Sequence, residues 1–184
     1  MVYPIYLYGS SVLRKESVDI DQNYPELDTF IADMFDTMAD SEGIGLAAPQ
    51  VGKNINLFVV DATAFGEEDP NAADFKKVFI NAEIYERSGE KVPFIEGCLS
   101  VPGVRENVDR YDVIKVRYMD ENFIEHDEEL DGIRARVVQH EYDHIEGALF
   151  TDRIAPIRKT LNKGKLTKIA KGKISAAYRT KLVK

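Results

Sequence analysis

His140-Glu141-Tyr142-Asp143-His144 decides how this chain is read. On an α-helix, residues four apart lie on one face, so the two imidazoles can share a metal ion with Glu141 beside it as a base. That pattern points to a metal-dependent hydrolase. The same five residues hold two of the chain's three histidines; the third, His126, sits in an acidic run. Working outward, Asp131 suits an N-cap and Gly147 a C-terminal stop, which predicts a helix from Asp131 to about Glu146. Val137, Val138 and Ile145 on this helix would bury the metal-binding turn away from water.

A catalytic divalent ion takes three protein ligands and keeps one position open. The common metallopeptidases draw their third ligand from a Glu or His downstream of the motif. Here no acid follows Asp152 and no histidine follows His144. The obvious candidate is upstream, Cys98 in Glu96-Gly97-Cys98-Leu99-Ser100. Its soft thiolate suits zinc or ferrous iron, and the adjacent glycine permits close approach. A lone cysteine is otherwise a small packed hydrophobe.

The 184 residues, 44% hydrophobic and 30% charged, fit one domain with a core of its own. A single cysteine excludes an intramolecular disulfide. Met1 to Ser10 carries no basic cluster leading into an apolar run, and no membrane span follows, so the expected location is cytoplasmic and no membrane partner is expected. The net charge of −8 conceals an asymmetry: all 32 acids lie at or before Asp152, whereas residues 153–184 hold 11 Lys and Arg. The acidic body excludes DNA as a partner of the whole chain. The tail reads either as a solvated helix face or as a footprint for an anionic partner such as RNA.

Leu27, Phe30, Ile31, Met34, Phe35 and Met38 recur at spacings of three and four, predicting a helix over Pro25–Asp40. Gly43-Ile44-Gly45-Leu46-Ala47-Ala48-Pro49-Gln50 is built of small residues and admits close approach of another backbone or a ligand. Ile55–Val60 and Val78–Tyr85 read as strands around a surface loop, Thr63–Asp74. Asp112–Met119 reads as a further strand, turning at Asp120-Glu121-Asn122 into Phe123–Leu130. In the tail, Ile157 and Leu161, then Ile174, Tyr178 and Leu182, have helical spacing, with breaks expected at Gly164 and Gly172.

Three separated segments, 43–50, 96–100 and 140–144, resemble the three signature motifs of the bacterial peptide deformylases in order and separation. The similarity runs from about Tyr6 to Ile157. With the elements above, it implies an α+β fold: short, mostly antiparallel sheets around a central helix that carries the metal motif, plus an N-terminal helix and a basic helical tail. Residues 1–152 would be the catalytic domain and 153–184 the tail. The family removes the formyl group from N-formylmethionyl nascent polypeptides and releases formate. Carried over, Cys98, His140 and His144 are the metal ligands, and Glu141 takes a proton from the metal-bound water. The side-chain amide of Gln50 and the backbone N–H of Leu99 receive the oxyanion. Ile44, Gly45, Gly97 and Arg105 border the peptide groove, with Ile133 and Val137 at the methionine pocket. The implied ion is Fe2+, with Zn2+ or Ni2+ taking the same place in isolated protein. The resemblance also implies that the tail meets ribosomal RNA. Arg136 departs from an often aliphatic pocket position, so its guanidinium must reach solvent or pair with an acid.

Two other classes remain at this point. A zinc metallopeptidase shares the helix motif but calls for the missing downstream ligand. A non-catalytic, ribosome-associated metal-binding module calls for a fourth protein ligand.

Overall fold

The computed structural model describes residues 1–184. In chain order it contains β1 (Ile5–Tyr6), α1 (Leu27–Asp40), β2 (Gly45–Ala47), β3 (Leu57–Asp61), β4 (Lys76–Gly97), β5 (Arg105–Met119), β6 (Glu125–Asp131), α2 (Gly132–Ile145), α3 (Phe150–Arg153), α4 (Pro156–Ala170) and β7 (Thr180–Lys181). Strands β2 to β6 form one antiparallel sheet in sequence order. The fold is α+β, as expected.

Alternation along β3 distributes the core. Phe58 and Val60 face α2, packing with Ala135, Val137 and Val138. Leu57 and Val59 face α1, packing with Phe30, Ile31, Met34 and Met38. Side chains on a strand point to opposite faces in turn, so a run apolar at every position must be covered on both sides. Helix α1 starts two residues later than the sequence pattern suggests, because Glu26 stands at φ +55 and breaks the helical path.

The strands expected at Val78–Tyr85 and Asp112–Met119 are the inner parts of a much longer hairpin, β4–β5. Its outer stretch is mostly exposed from Tyr85 to Ile95, so it carries no burial pattern for the sequence to reveal. Register shifts between Ile84 and Glu86 and between Ser88 and Lys91 bend the ribbon. The ladder ends at Gly97 opposite Arg105, which fixes the turn 98–104 in space. At the other end, Asp120 accepts hydrogen bonds from the N–H groups of Asn122 (2.8 Å) and Ile124 (3.0 Å), and β6 starts only at Glu125.

Helix α2 spans Gly132–Ile145 with Asp131 at its N-cap position. The Asp131 carboxylate pairs with Arg134 instead of capping a backbone N–H. Gly147 stops the helix at φ +70, and a Cβ there would stand 2.9 Å from the Arg14 backbone.

The tail departs most from expectation. Helix α4 continues through Gly164, where a break was expected. Leu166 and Ile169 are buried with Leu7, Val101, Val104, Val108, Phe150 and Ile154. Glu106 on β5 binds the helix through Arg158 (2.7 and 2.9 Å) and Asn162 (2.6 Å). The expected boundary after Asp152 falls inside α3. Beyond Gly172 the expected second helical stretch is extended instead. Its end, β7, pairs in parallel with β1: the Ile5 N–H donates to Arg179 O (2.8 Å) and the Leu7 N–H to Lys181 O (2.9 Å). Unpaired N–H groups on β1 need acceptors, and this demand outweighs the weak helical spacing of Ile174, Tyr178 and Leu182. No helix is long and apolar enough to cross a membrane.

Truncating Leu166 to Ala removes a side chain that joins the tail to the body. We expect a loss of about 2–4 kcal/mol in urea unfolding. An unchanged midpoint would mean that α4 does not share the core.

Candidate metal centre

Helix α2 turns His140, Glu141 and His144 inward toward the turn that carries Cys98. The ligand atoms of Cys98, His140 and His144 all lie within 4.8 Å of one another. His144 Nε2 is 3.2 Å from Cys98 Sγ. A tetrahedral ion with ordinary metal–sulfur and metal–nitrogen bonds would hold such a pair about 3.5 Å apart. The trio therefore has the spacing a single ion requires, and its mixture of thiolate and imidazole suits Zn2+ or Fe2+.

The ring of His140 is aimed by a carboxylate. Its Nδ1–H donates to Glu96 Oε2 (2.8 Å), leaving Nε2 free to bind. Glu96 also accepts from Arg110 Nε (2.6 Å), Arg110 Nη2 (2.9 Å) and Arg136 Nη1 (3.0 Å). Burial alone would raise the Glu96 carboxyl, but the hydrogen bonds from Arg110 and His140 hold it well below the usual carboxylate range. Arg110 reaches on to Asp143 (2.8 Å), which in turn accepts from Arg153 Nε (2.6 Å). Arg136 is not an odd charge in an apolar wall: besides Glu96 it donates to the carbonyls of Val108 (2.7 Å) and Val92.

Protonation differs between the two histidines. Burial disfavours charge on His140, yet hydrogen bonds with Cys98 and Glu96 raise it well above the ordinary value. Burial, and then the charge of His140, push His144 well below it. Metal binding needs both rings neutral at the ligating nitrogen.

Glu141 is 4% exposed, and its Oε2 is buried without a hydrogen-bond partner. Burial pushes the carboxyl up to about 7. An orphaned acid beside three metal-type donors is what a bound cation and water would satisfy, so the residues fit a catalytic ion. The close packing depends on Gly45: a Cβ there would stand 2.4 Å from Glu141 Oε1.

Gln50 is fixed from behind. The Ala47 N–H donates to its Oε1 (2.8 Å), so Nε2 must face the centre, 3.5 Å from Cys98 Sγ and 3.3 Å from Ser100 Oγ. A backbone N–H can only donate, which settles the orientation of the amide. A cleft of about 1110 Å³ opens over these groups. Ile44, Gly45, Gly97, Leu99, Arg105, Ile133 and Val137 all line it, together with Gln50, Cys98, His140 and Glu141. His144 alone of the expected residues lies behind the wall, 1% exposed.

A sequence profile of the polypeptide deformylases matches residues 2–160. The chain belongs to that family. The peptide deformylase of Cytophaga hutchinsonii is 49% identical over 181 residues, covering 98% of this chain and 97% of its own. That of Christiangramia forsetii is 47% identical over 186 residues, covering 97% and 95%. Among solved structures, the peptide deformylase from Plasmodium falciparum aligns with a TM-score of 0.82 at 35% identity, covering 91% of this chain and 95% of that one. The enzyme from Thermus thermophilus aligns at 0.81 and 37% identity, covering 94% and 100%. This chain is therefore an enzyme, a metal-dependent deformylase that removes the N-formyl group from nascent peptides.

The sequence reading passed over Glu96 as a working residue, although it stands two places before Cys98. A metal-binding histidine needs an acceptor for its second N–H, and that requirement would have found it. Glu96→Gln keeps the shape and removes the charge. We expect metal affinity to fall about 10–100-fold in competition with a chelator; an unchanged affinity would show that Glu96 does not orient His140.

Proposed function

We propose that Cys98, His140 and His144 hold a divalent ion at which the formyl group of N-formylmethionyl peptides is hydrolysed, with Glu141 as the proton carrier. The orphaned, buried carboxylate of Glu141 beside the three donors is the observation that carries this reading. Three protein donors, rather than four, is the catalytic kind of set and speaks against a purely structural metal module.

When bound, the ion supplies Lewis acidity, making water nucleophilic at neutral pH and polarising the formyl carbonyl. Glu141 accepts a proton from the attacking water and delivers it to the leaving amine as the C–N bond breaks, giving formate and a free N-terminus. The tetrahedral oxyanion takes hydrogen bonds from Gln50 Nε2 and the Leu99 N–H. The first is aimed by the Ala47 N–H, and the second belongs to the residue next to Cys98. β2 is the outer strand of its sheet, so its free edge at Gly45 is suited to an extended peptide. Ile133 and Val137 offer the methionine side chain an apolar wall. The Arg136 guanidinium is engaged by Glu96 and backbone carbonyls, which leaves its aliphatic stem to line the pocket.

We take Fe2+ as the working ion, with Zn2+ and Ni2+ accepted by the same donors. Formate release from formyl-Met-Ala-Ser, measured on anaerobically prepared iron, nickel and zinc forms, tests both readings. Iron and nickel should exceed zinc. Gln50→Ala should lower kcat by about 10²–10³-fold, and Glu141→Gln by at least as much. Cleavage of internal peptide bonds instead of formate release would replace a deformylase with a peptidase. Greatest or equal activity with zinc would remove the iron assignment.

The basic tail supports a ribosomal partner in the cytoplasm. Lys163, Lys168 and Lys171 are exposed on or just beyond α4, which also exposes the apolar Ile157 and Leu161. Reversing these three lysines to Glu leaves the buried face of α4 intact. It should abolish salt-sensitive co-sedimentation with ribosomes; retention at wild-type levels would reject the tail as the contact.

A further inference from the structure

The established part of the centre ends before residue 160, yet the cleft has another wall. Lys165 and the segment Ser175–Tyr178 line it, together with Pro102, Gly103 and Arg105. This segment is neither loose nor distant. It leads directly into β7, whose pairing with β1 sets its register. Further on, the Ser11 N–H donates to Val183 O (3.0 Å) and the Val183 N–H to Ser10 Oγ (3.2 Å).

Two bonds converge on consecutive carbonyls next to Cys98. The Tyr178 hydroxyl donates to Leu99 O at 2.7 Å. The Tyr8 N–H donates to Ser100 O, also at 2.7 Å. Tyr8 follows β1, and Tyr178 precedes β7, so residues flanking the small parallel sheet hold two successive peptides, Tyr178 the Leu99–Ser100 peptide and Tyr8 the Ser100–Val101 peptide. The Tyr178 ring packs with the cluster that also takes Leu99. Leu99 is the residue whose N–H is assigned to the oxyanion, and a backbone donor works only if its peptide plane is held before charge develops.

We propose that Ser175–Tyr178 is a wall of the peptide cleft, and that Tyr178 is a positioning residue that holds Leu99 for oxyanion stabilisation. The inference rests on the deformylase reading of the same centre. The Tyr178 hydroxyl touches no reacting atom; it holds the Leu99 carbonyl, while the Cys98–Leu99 peptide that presents the N–H is held through Cys98 O by the Val101 N–H (2.9 Å), so the two bonds together fix Leu99 at both of its peptide planes. The wall formed by Ser175, Ala176 and Ala177 meets the substrate beyond its first residues, where only a longer peptide reaches.

Steady-state formate release by metal-saturated enzyme tests both halves. Wild-type activity on formyl-Met-Ala comes first, since its absence would end the deformylase reading itself. Tyr178→Phe keeps the ring and deletes one hydrogen bond. It should lower kcat on formyl-Met-Ala about fivefold with KM within about twofold, the effect of losing about one net hydrogen bond. Amide hydrogen exchange at Leu99 should quicken, while the unfolding midpoint moves little. A variant that unfolds more easily yet retains wild-type kcat would reduce Tyr178 to a packing residue and overturn the positioning role. Ala177→Trp leaves the Tyr178 bond in place and fills the cleft. It should raise KM for a formylated hexapeptide at least about fivefold while leaving that for formyl-Met-Ala near wild type. Equal KM changes for both lengths, or none, would overturn the wall.

Discussion

The Glu96 carboxylate is the point on which the centre depends. Four donors meet it: two nitrogens of Arg110 on β5, one of Arg136 on α2, and the Nδ1–H of His140. Glu96 is on β4, next but one to Cys98, so one anion ties together the two ribbon strands, the central helix and the approach to the thiolate. Burying charges is costly, and a buried network persists only when each member is matched. Arg110, Asp143 and Arg153 continue the alternation of sign away from Glu96. The cost of desolvation is thereby spread over a chain of pairs instead of falling on one. What this secures is geometry: the sulfur from a turn and the imidazoles from a helix stay within reach of one ion.

The opposite side of the centre is governed by an absence of side chain. Gly45 lets β2 press against Glu141, so the acid is dry and unpaired, with a carboxyl held near neutrality. On one flank charges are fully matched, and on the other a single carboxylate is left without a partner. A mechanism that moves protons needs such a contrast, since only the unmatched group is free to change its state.

Much of this could be read from the residues. The helices over Leu27–Asp40 and Gly132–Ile145 follow from apolar spacing and stop signals, and the antiparallel α+β class holds. The metal trio could be named because histidines and cysteine are scarce, and elimination of downstream ligands led back to Cys98. The outer half of the β4–β5 ribbon could not be read, because its residues are exposed and its order comes from backbone pairing. Nor could the end of the tail. Ile174, Tyr178 and Leu182 keep a helical interval, but their conformation is set by β1, more than 160 residues away in sequence. The role of Glu96 was hidden for a related reason: a charge reads as surface until its buried partners are known, whereas Arg136 was expected to reach solvent or pair with an acid and does the second.

Pairing of β1 with β7 has a consequence in time. Chains are made from the N-terminus, so Ile5 and Tyr6 leave the ribosome long before Thr180 and Lys181 exist. Until that end of the chain emerges, Tyr8 can hold the Ser100 carbonyl, but the Leu99 carbonyl lacks its bond from Tyr178. The candidate donors Cys98, His140 and His144 are all made earlier. Chain direction therefore makes the three candidate donors available before the segment that lines this side of the cleft.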